Sequence, residues 1–478
     1  MPSWRDYVQD LPKLRRPLRV VLPCVGIDGC THALQEMGID VEATNVYDLI
    51  DGYDELLRHH YEACSKVVPQ LHLGPELGDI TKVALTDLIV PADGICAGPP
   101  CPPWAGNGLR GSDEDPRARV FETVLTWTAQ LIKSGGLLFA VLENVVGCNQ
   151  KIKGCPSFMR QVQDVLTQEC GEFTWKIVTL NAADYMLAQT RVRVFLVGFR
   201  HRLGALPGPM EPFGPLPLRE FLQGDLPNIA RKTMTQCMQE NLKNMEKTLA
   251  QDLKAGKLAA DDVVCFAADR AQGKVFKQRY SVNIVPTLTT HNRYLFVLTL
   301  DFKKSDSKRG FFRWLHNRER MKLQGFVEDY ADKLDSLALT ASGNAYPVPL
   351  LCAVLYPIVQ VLSQWTTFEQ WPNPADIKQE VHPVAATIVH KLACAIKRSS
   401  AATAKQTKAK AKAKARKSKA QANATPKKQG KTTKGAKSQK ASGKNRKKQK
   451  GAKVSEALWK RPPSKRSCAF IWSDSEEV

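Results

Sequence analysis

A thiol walled in by prolines is the most chemically pointed feature of the chain. In AGPPCPPWAGNG, residues 97–108, Cys101 stands between Pro99-Pro100 and Pro102-Pro103, ahead of a run of small residues. Proline fixes its own backbone and drives the preceding residue toward an extended conformation, so Pro102 extends Cys101 and Pro100 extends Pro99. The stretch follows the apolar run DGICA (Asp93 to Ala97), which places the thiol at a strand's carboxyl end, where open α/β sheets bind ligands. A cysteine presented there can act as a nucleophile once ionised. An inert thiol in a proline-rich turn is the plainer alternative.

Five other stretches carry candidate chemistry. VLPCVGIDGCTHAL (Val21 to Leu34) puts Gly26 and Gly29 between a strand and its helix, a turn through which a nucleotide-like cofactor can approach backbone amides. GDI (Gly78 to Ile80) offers Asp79 on a second loop. LENV (Leu142 to Val145) ends a very apolar strand with Glu143 and Asn144. An acid there is partly desolvated and can hold a proton near neutral pH, although a strand-ending turn explains the same residues. QTRVRVFLVGF (Gln189 to Phe199) opens a strand whose alternation aims Arg191 and Arg193 at one face, toward an anion, a carbonyl or a salt-bridged edge. GNAYPVPLL (Gly343 to Leu351) frames Asn344 in a Gly/Pro turn that starts a helix.

The elements that must position these residues alternate. RVVLPC (Arg19 to Cys24), VEATNV (Val41 to Val46), the Asp93 run, GLLFAVLEN (Gly136 to Asn144) and runs near Trp175 to Leu180 and Val192 to Phe199 read as strands. Helical patterns lie between them at Thr31 to Met37, Asp54 to Cys64, Val120 to Ile132 and Phe158 to Leu166. Such alternation implies an α/β fold, a mostly parallel sheet with helices on both faces. From about Leu203 it gives way to Pro/Gly-rich loops, a polar helix at Thr233 to Lys254 and short β-like runs such as PTLTT and YLFVLTL, as a small inserted domain would. Short and long helices return near Asn317 and Leu350, and beyond Trp371 order is expected to fade.

The net charge of +22 is local: residues 397–453 hold 22 Lys and Arg and no acid, leaving 47 basic against 47 acidic residues elsewhere. None of the thirteen cysteines forms a C-x-x-C pair, which argues against zinc fingers and a secreted disulfide framework. The first residues lack the apolar core of a signal peptide, and no run reads as a membrane span, so a soluble protein of a reducing compartment is expected.

In order, the motifs resemble the DNA (cytosine-5) methyltransferase family over about Leu18 to Leu362. The resemblance is carried by Pro-Pro-Cys at 99–101, Asp115-x-Arg117 before Val120-Phe121, Glu143-Asn144-Val145, Gln189-x-Arg191-x-Arg193, Arg318-Glu319 before LQGF, and Gly343-Asn344 before PVP. It implies a Rossmann-like S-adenosylmethionine-dependent methyltransferase fold with a lead-in at 1–17 and catalytic parts at 18–202 and 311–371. A smaller target-recognition domain would occupy 203–310 and a disordered basic tail 372–478. The implied activity is methyl transfer from S-adenosylmethionine to carbon 5 of a flipped-out cytosine in double-stranded DNA. Cys101 would be the nucleophile, Glu143 would protonate ring nitrogen 3, Asn144 would hold loop and base, and Arg193 would meet the ring carbonyl with Arg191 assisting. Gly26, Gly29, Asp79 and Asn344 would surround the cofactor.

The chain also departs from the family pattern. Cys24 stands for an aromatic, Asp28 for a third glycine, and Val46 for the acid that holds the ribose, with Asp48 as the nearest substitute. Pro102 and Pro103-Trp104 replace Gln and Pro-Phe. Three other readings use the same residues. CPPW echoes adenine amino-methyltransferases, whose chemistry needs an oxygen acceptor that a thiol replaces poorly. CFA (Cys265 to Ala267) faintly resembles a signature of transfer-RNA cytosine-5 methyltransferases, without its Thr. A catalytically inactive chromatin-binding homologue is the third.

The Lys/Ala-rich segment resembles a linker-histone tail, including Thr425-Pro426-Lys427-Lys428, and predicts sequence-independent, salt-sensitive binding to phosphates in chromatin. With KRPPSKR (Lys460 to Arg466) it can serve as a nuclear address, so the nucleus is the expected location. The last stretch, Cys468 to Val478, mixes aromatics with acids in the manner of a docking peptide.

Overall fold

The computed structural model describes residues 11, 13–64, 68–88, 91–100, 116–151, 155–223, 234–259, 262–267, 280–290, 295–299, 311–327, 329–364, 371, 377, 380–394, 397–398 and 401. The chain divides into two compact units, Met1–Lys408 and Ala409–Val478, and every described residue belongs to the first. The expected Lys/Ala-rich tail and docking peptide therefore lie outside the described residues.

The main sheet is built from β1 (Leu18–Pro23), β2 (Val41–Asp48), β3 (Leu71–Leu73), β4 (Gly94–Ala97), β5 (Phe139–Val145), β6 (Phe173–Asn181) and β8 (Val192–Arg200). Its order is β3-β2-β1-β4-β5-β8-β6. The strands from β3 to β5 run parallel, and β8 runs against both of its neighbours. LRVVLP and GICA are apolar almost without interruption because strands covered on both faces have no solvent side to alternate toward. Helices α1 (Gly29–Glu36), α2 (Asp54–Cys64) and α10 (Val348–Ser363) cover one face, and α4 (Pro116–Lys133) and α5 (Phe158–Glu169) the other, each with its own core. A four-residue helix, α3 (Gly74–Leu77), follows β3. The doubly wound expectation is therefore met. Strand order reverses between β1 and β4, and the crevice beyond their carboxyl ends is where such sheets bind ligands.

A second, antiparallel sheet has the order β11-β10-β12-β13, from β10 (Val263–Ala267), β11 (Ser281–Val282), β12 (Leu295–Thr299) and β13 (Phe311–Trp314). The polar helix α6 (Gln236–Lys254) packs on it through Met238, Leu242, Met245 and Leu249. Period-two alternation lets β10 serve two cores: Val263 and Cys265 face the main one, Val264 and Phe266 the small one. Between these parts β7 (Tyr185–Met186) pairs with β9 (Gly214–Pro215), and α7 (Asn317–Lys322), α8 (Tyr330–Leu334) and α9 (Ala338–Asn344) lead back to α10. The run PTLTT forms no strand; its neighbour Val285 makes a single bridge to Gln189.

Two expectations need correction. Order does not fade at Trp371: Val384–Cys394 forms a helix, α11, whose Ile388 and Leu392 are 0% and 1% exposed in the core of α4 and α5. Its apolar positions at helical spacing are masked in the sequence by the basic run that follows, which dominates any local composition. Nor is the chain free of spans apolar and long enough to cross a membrane. Ala338–Ser363, taken across α9 and α10, qualifies by length and composition, but 83% of its apolar window is buried inside the fold. It is the core helix of this domain.

The lead-in is also tied down. Arg16 donates to both carboxylate oxygens of buried Asp93, at 2.6 and 2.7 Å, while its guanidinium lies 4.7 Å from the ring centre of Trp371.

Candidate active site

Register brings the acid and the guanidinium together. Ala97 at the end of β4 pairs with Leu142 of β5, so the chain leaving β4 toward Cys101 passes beside Glu143. On the other side Glu143 is opposite Phe195 and Val145 opposite Arg193, which sets Arg193 one diagonal step from Glu143 on the same face. Its Nε meets Glu143 Oε1 at 2.8 Å, with only 11% and 12% of the two side chains exposed. Burial raises the Glu143 carboxyl above its ordinary range, against the pull of Arg193 and Arg191. That is the state a proton donor needs.

Asn144 bonds to the backbone that follows β4. Its Nδ2 donates to the carbonyl of Pro99 at 3.1 Å, two residues before Cys101, and its Oδ1 accepts from Val145 N and the Cys148 thiol. Cys101 itself lies outside the described residues, as do Asp115 and Pro102 to Trp104.

Arg191 departs from its expected part. It sits just before β8, is 2% exposed, and donates to the carbonyls of Leu288 (2.7 Å), Gly343 (3.0 Å) and Ala345 (2.7 Å). These donors clamp the end of the insert and the α9–α10 joint to the sheet. Period-two spacing located the pair of arginines, but only tertiary packing separates a clamp from a site residue. Gln189 and Glu319 are further clamps. Gln189 bonds Leu323 O and Leu288 N, and Glu319, fully buried, takes both nitrogens of Arg313 and the backbone N of Gln223.

The crevice between β1 and β4 is formed by the loop Cys24 to Asp28. Gly26 adopts φ +59°, the left-handed region open to glycine, and its N–H donates to Asp48 Oδ2 at 2.8 Å. Asp48 Oδ1 accepts from Ile50 N, so both oxygens brace the backbone; burial raises this carboxyl, and the two bonds pull it back. Val46, 0% exposed, is turned into the core by a bulge between Val21 and Leu22, opposite left-handed Asn45. An acid is therefore absent at that position for a packing reason. Asp28, also left-handed, caps α1 through Thr31 N and accepts from Tyr61 Oη at 2.5 Å, side-chain bonds that a glycine could not make. The thiols of Cys24 and Cys30 are pushed up: burial and Asp48 act on the first, a bond to Cys96 and burial on the second. Both stay neutral beside the crevice.

Asp79 caps a turn through Thr81 and borders a cleft with Asn45, Tyr47 and His72. Partial burial pushes its carboxyl up, but the Thr81 bonds and Lys82 outweigh this and hold it low. Tyr47 stacks on His72 with ring centres 4.4 Å apart. Asn344 is exposed at the end of α9. Sequence reasoning missed Tyr346, two residues on, which packs against Gly29 and Gly98. An aromatic in a Gly/Pro turn carries no signal of its own. The faint CFA signature is core strand: Cys265 and Phe266 are each 1% exposed in β10, and burial pushes the Cys265 thiol up to about 12. Among the described residues no group of three His, Cys, Asp or Glu side chains could hold a metal.

A mixed α/β fold with a central sheet, a backbone-lined crevice at its switch point and a buried acid–guanidinium pair beside it defines a ligand-binding α/β enzyme. More narrowly, the chain belongs to the C-5 cytosine-specific DNA methylase family, which its residues 23–360 match. It is 30% identical to type II methyltransferase M.NgoPII of Neisseria gonorrhoeae over 40% of this chain and 51% of that one, about half the relative's length. It is 26% identical to M.HpaII of Haemophilus parainfluenzae over 73% of this chain and 92% of that protein. It is also 28% identical to the mouse tRNA (cytosine(38)-C(5))-methyltransferase, over 43% of this chain and 44% of the relative. It is thus a methyltransferase whose family uses S-adenosylmethionine. The residues fit that donor: half-buried Gly26 keeps the turn free of a side chain, and among the described residues the buried Tyr346 hydroxyl has no hydrogen-bond partner.

Proposed function

We propose that the chain methylates carbon 5 of cytosine in double-stranded DNA through a transient bond from Cys101 to the ring. The Glu143–Arg193 pair, set beside a loop that Asn144 tethers at Pro99, carries this reading. The Cys101 thiolate adds to carbon 6, and the displaced π electrons are drawn toward nitrogen 3 as Glu143 delivers its proton there. Arg193 stabilises the carboxylate left behind and offers its remaining donors to the ring carbonyl. Bound in the crevice over Gly26 and Gly29, near Asp79 and Asn344, S-adenosylmethionine supplies an electrophilic methyl group. Loss of the carbon-5 proton to a base then lets the Cys101 sulfur depart as thiolate, while nitrogen 3 returns its proton to Glu143.

Cytosine in a duplex cannot reach such a pocket, so the base is flipped out. The second sheet with α6, in the segment 203–310 and continuing through β13, would read the groove. The basic tail would neutralise further phosphates in chromatin, in the nucleus. A transfer-RNA substrate is the second reading, favoured by the mouse relative alone.

Transfer of tritiated methyl groups to duplex DNA and, separately, to transfer RNA decides between them. Incorporation into DNA, lost in Cys101→Ser, is expected; incorporation into transfer RNA alone would select the second reading. No incorporation into either, with DNA bound, would leave an inactive binder.

A further inference from the structure

The hydrogen bonds around Asn144 include a donor that the mechanism does not use, the thiol of Cys148. This residue lies in the short turn Val146–Asn149 that follows β5, and it is 1% exposed. Its Sγ donates to Asn144 Oδ1, with the two atoms 3.0 Å apart. The same oxygen accepts from Val145 N at 2.9 Å, while Asn144 Nδ2 donates to the carbonyl of Pro99 at 3.1 Å. Asn144 is itself buried and adjoins Glu143, and Pro99 stands two residues before Cys101.

A carboxamide has an accepting end and a donating end of nearly the same shape, so its neighbours decide which end points where. Pro99 presents a carbonyl that can only accept, and Val145 and Cys148 bring two donors to the opposite end. Turned over, the group would set oxygen against oxygen at one end and donor against donors at the other, which is costly in a buried place. The Val145 N–H belongs to the next residue of the same strand and moves with Asn144. The thiol comes from a turn with its own anchor: Asn149 Oδ1 accepts from Ser157 Oγ, and Ser157 caps α5 through Arg160 N. Valine would fill the space of Cys148 but supply no donor.

We propose that Cys148 is a positioning residue for methyl transfer: through Asn144 it fixes the Glu143 strand against the loop that leads to Cys101. This rests on the proposed function for the role of Cys101 as nucleophile. Thiolate addition and proton delivery must meet on one ring, and a small misplacement of either group is expensive in rate. The Cys148 sulfur holds and does not react.

The test compares full-length wild type, C148A, C148V and C148S, each also with Asn144→Ala, by methyl-transfer kinetics on duplex DNA, S-adenosylhomocysteine calorimetry and hydrogen exchange. C148A should lower kcat about tenfold, the size of one hydrogen bond, with KM for both substrates and S-adenosylhomocysteine affinity unchanged. C148V, which fills the space without a donor, should match it and carries the test if C148A misfolds. C148S, whose hydroxyl donates from the same position, should restore most of the rate. With N144A in place, removing the thiol should cost no further rate, because its partner has gone. Wild-type kcat in C148A or C148V, no recovery in C148S, or an equal further loss beside N144A overturns the proposal. Exchange in the peptide running from β4 through Gly98 should rise in C148A and C148V but not in C148S; unchanged exchange overturns the proposal whether or not DNA is methylated. That exchange pattern in a protein whose wild type methylates no DNA would sink the proposed function and leave the tether standing.

Discussion

Glu143 and Arg191 mark the two fates of charge at this site. Burial raises the Glu143 carboxyl against the pull of Arg193 and Arg191, so it can part with a proton and be stabilised afterward by the guanidinium it meets. Replacing it with Gln keeps a hydrogen bond to a ring nitrogen but removes the proton. E143Q should therefore lower kcat for methyl transfer by ~100-fold or more while calorimetry finds S-adenosylhomocysteine bound as before. Arg191 spends its donors on three carbonyls from two other parts of the chain. Arg191→Met should cost roughly 3 kcal/mol or more in urea unfolding, since it strands buried acceptors. A loss of activity from R191M with undiminished stability would return Arg191 to the reacting atoms.

At the level of elements, α1, α2 and α8 meet through rings. His60 Nδ1 and Tyr330 Oη are 2.7 Å apart, and the His32 ring lies 5.8 Å from that of His60 and 5.7 Å from that of Tyr330. Burial, then the charge of His60, pushes His32 from its ordinary 6.5 to about 3; His60 is lowered by burial, with Asp28 pulling up and His59 down. An unfolded histidine takes a proton below about 6.5 that folded His32 refuses until near 3. Stability is thus lost as pH falls through that window, by up to ~1.4 kcal/mol per pH unit for one such group. Asp48 and Glu143, raised by burial, work in the opposite direction, so the comparison is between variants. The melting temperature of H32L should fall less between pH 7 and 5 than that of wild type, and parallel curves would refute the assignment.

Helix α11 belongs to the same scale. Gln130 of α4 exchanges hydrogen bonds with Glu380 O and His382 N ahead of it, and Lys391 pairs with Glu169 of α5. Ending the chain at residue 379 removes the buried Val384, Ile388 and Leu392 and should cost at least ~3 kcal/mol. Ending it at 401 should leave the melting temperature where it is.

For the whole molecule, that second truncation separates folding from partner binding. It removes most of the 22 basic residues of segment 397–453 and none of the described core. Duplex affinity should weaken, and its dependence on salt should flatten by about one unit of log–log slope for each phosphate no longer neutralised. An unchanged slope would mean that the tail does not touch the duplex.

Much of this architecture was legible in the amino-acid order, because the signals are local. Apolar runs such as RVVLP and FAVLE declare buried strands, and the spacing of Phe158, Val162 and Leu166 declares a helix face. Cys101, Glu143 and Arg193 stand out because strand ends and prolines mark them. What the order of residues left open were choices made by distant neighbours. Two arginines of equal chemistry became a clamp and a site partner according to which carbonyls and carboxylates the return segment brought to them. Val46 was turned inward by a bulge, α11 was retained by the face of α4 and α5, and Tyr346 acquired meaning only when Gly29 and Gly98 closed around it. Periodicity acts within a segment, whereas burial and hydrogen-bond satisfaction depend on everything packed against it, and those were settled only by the tertiary fold.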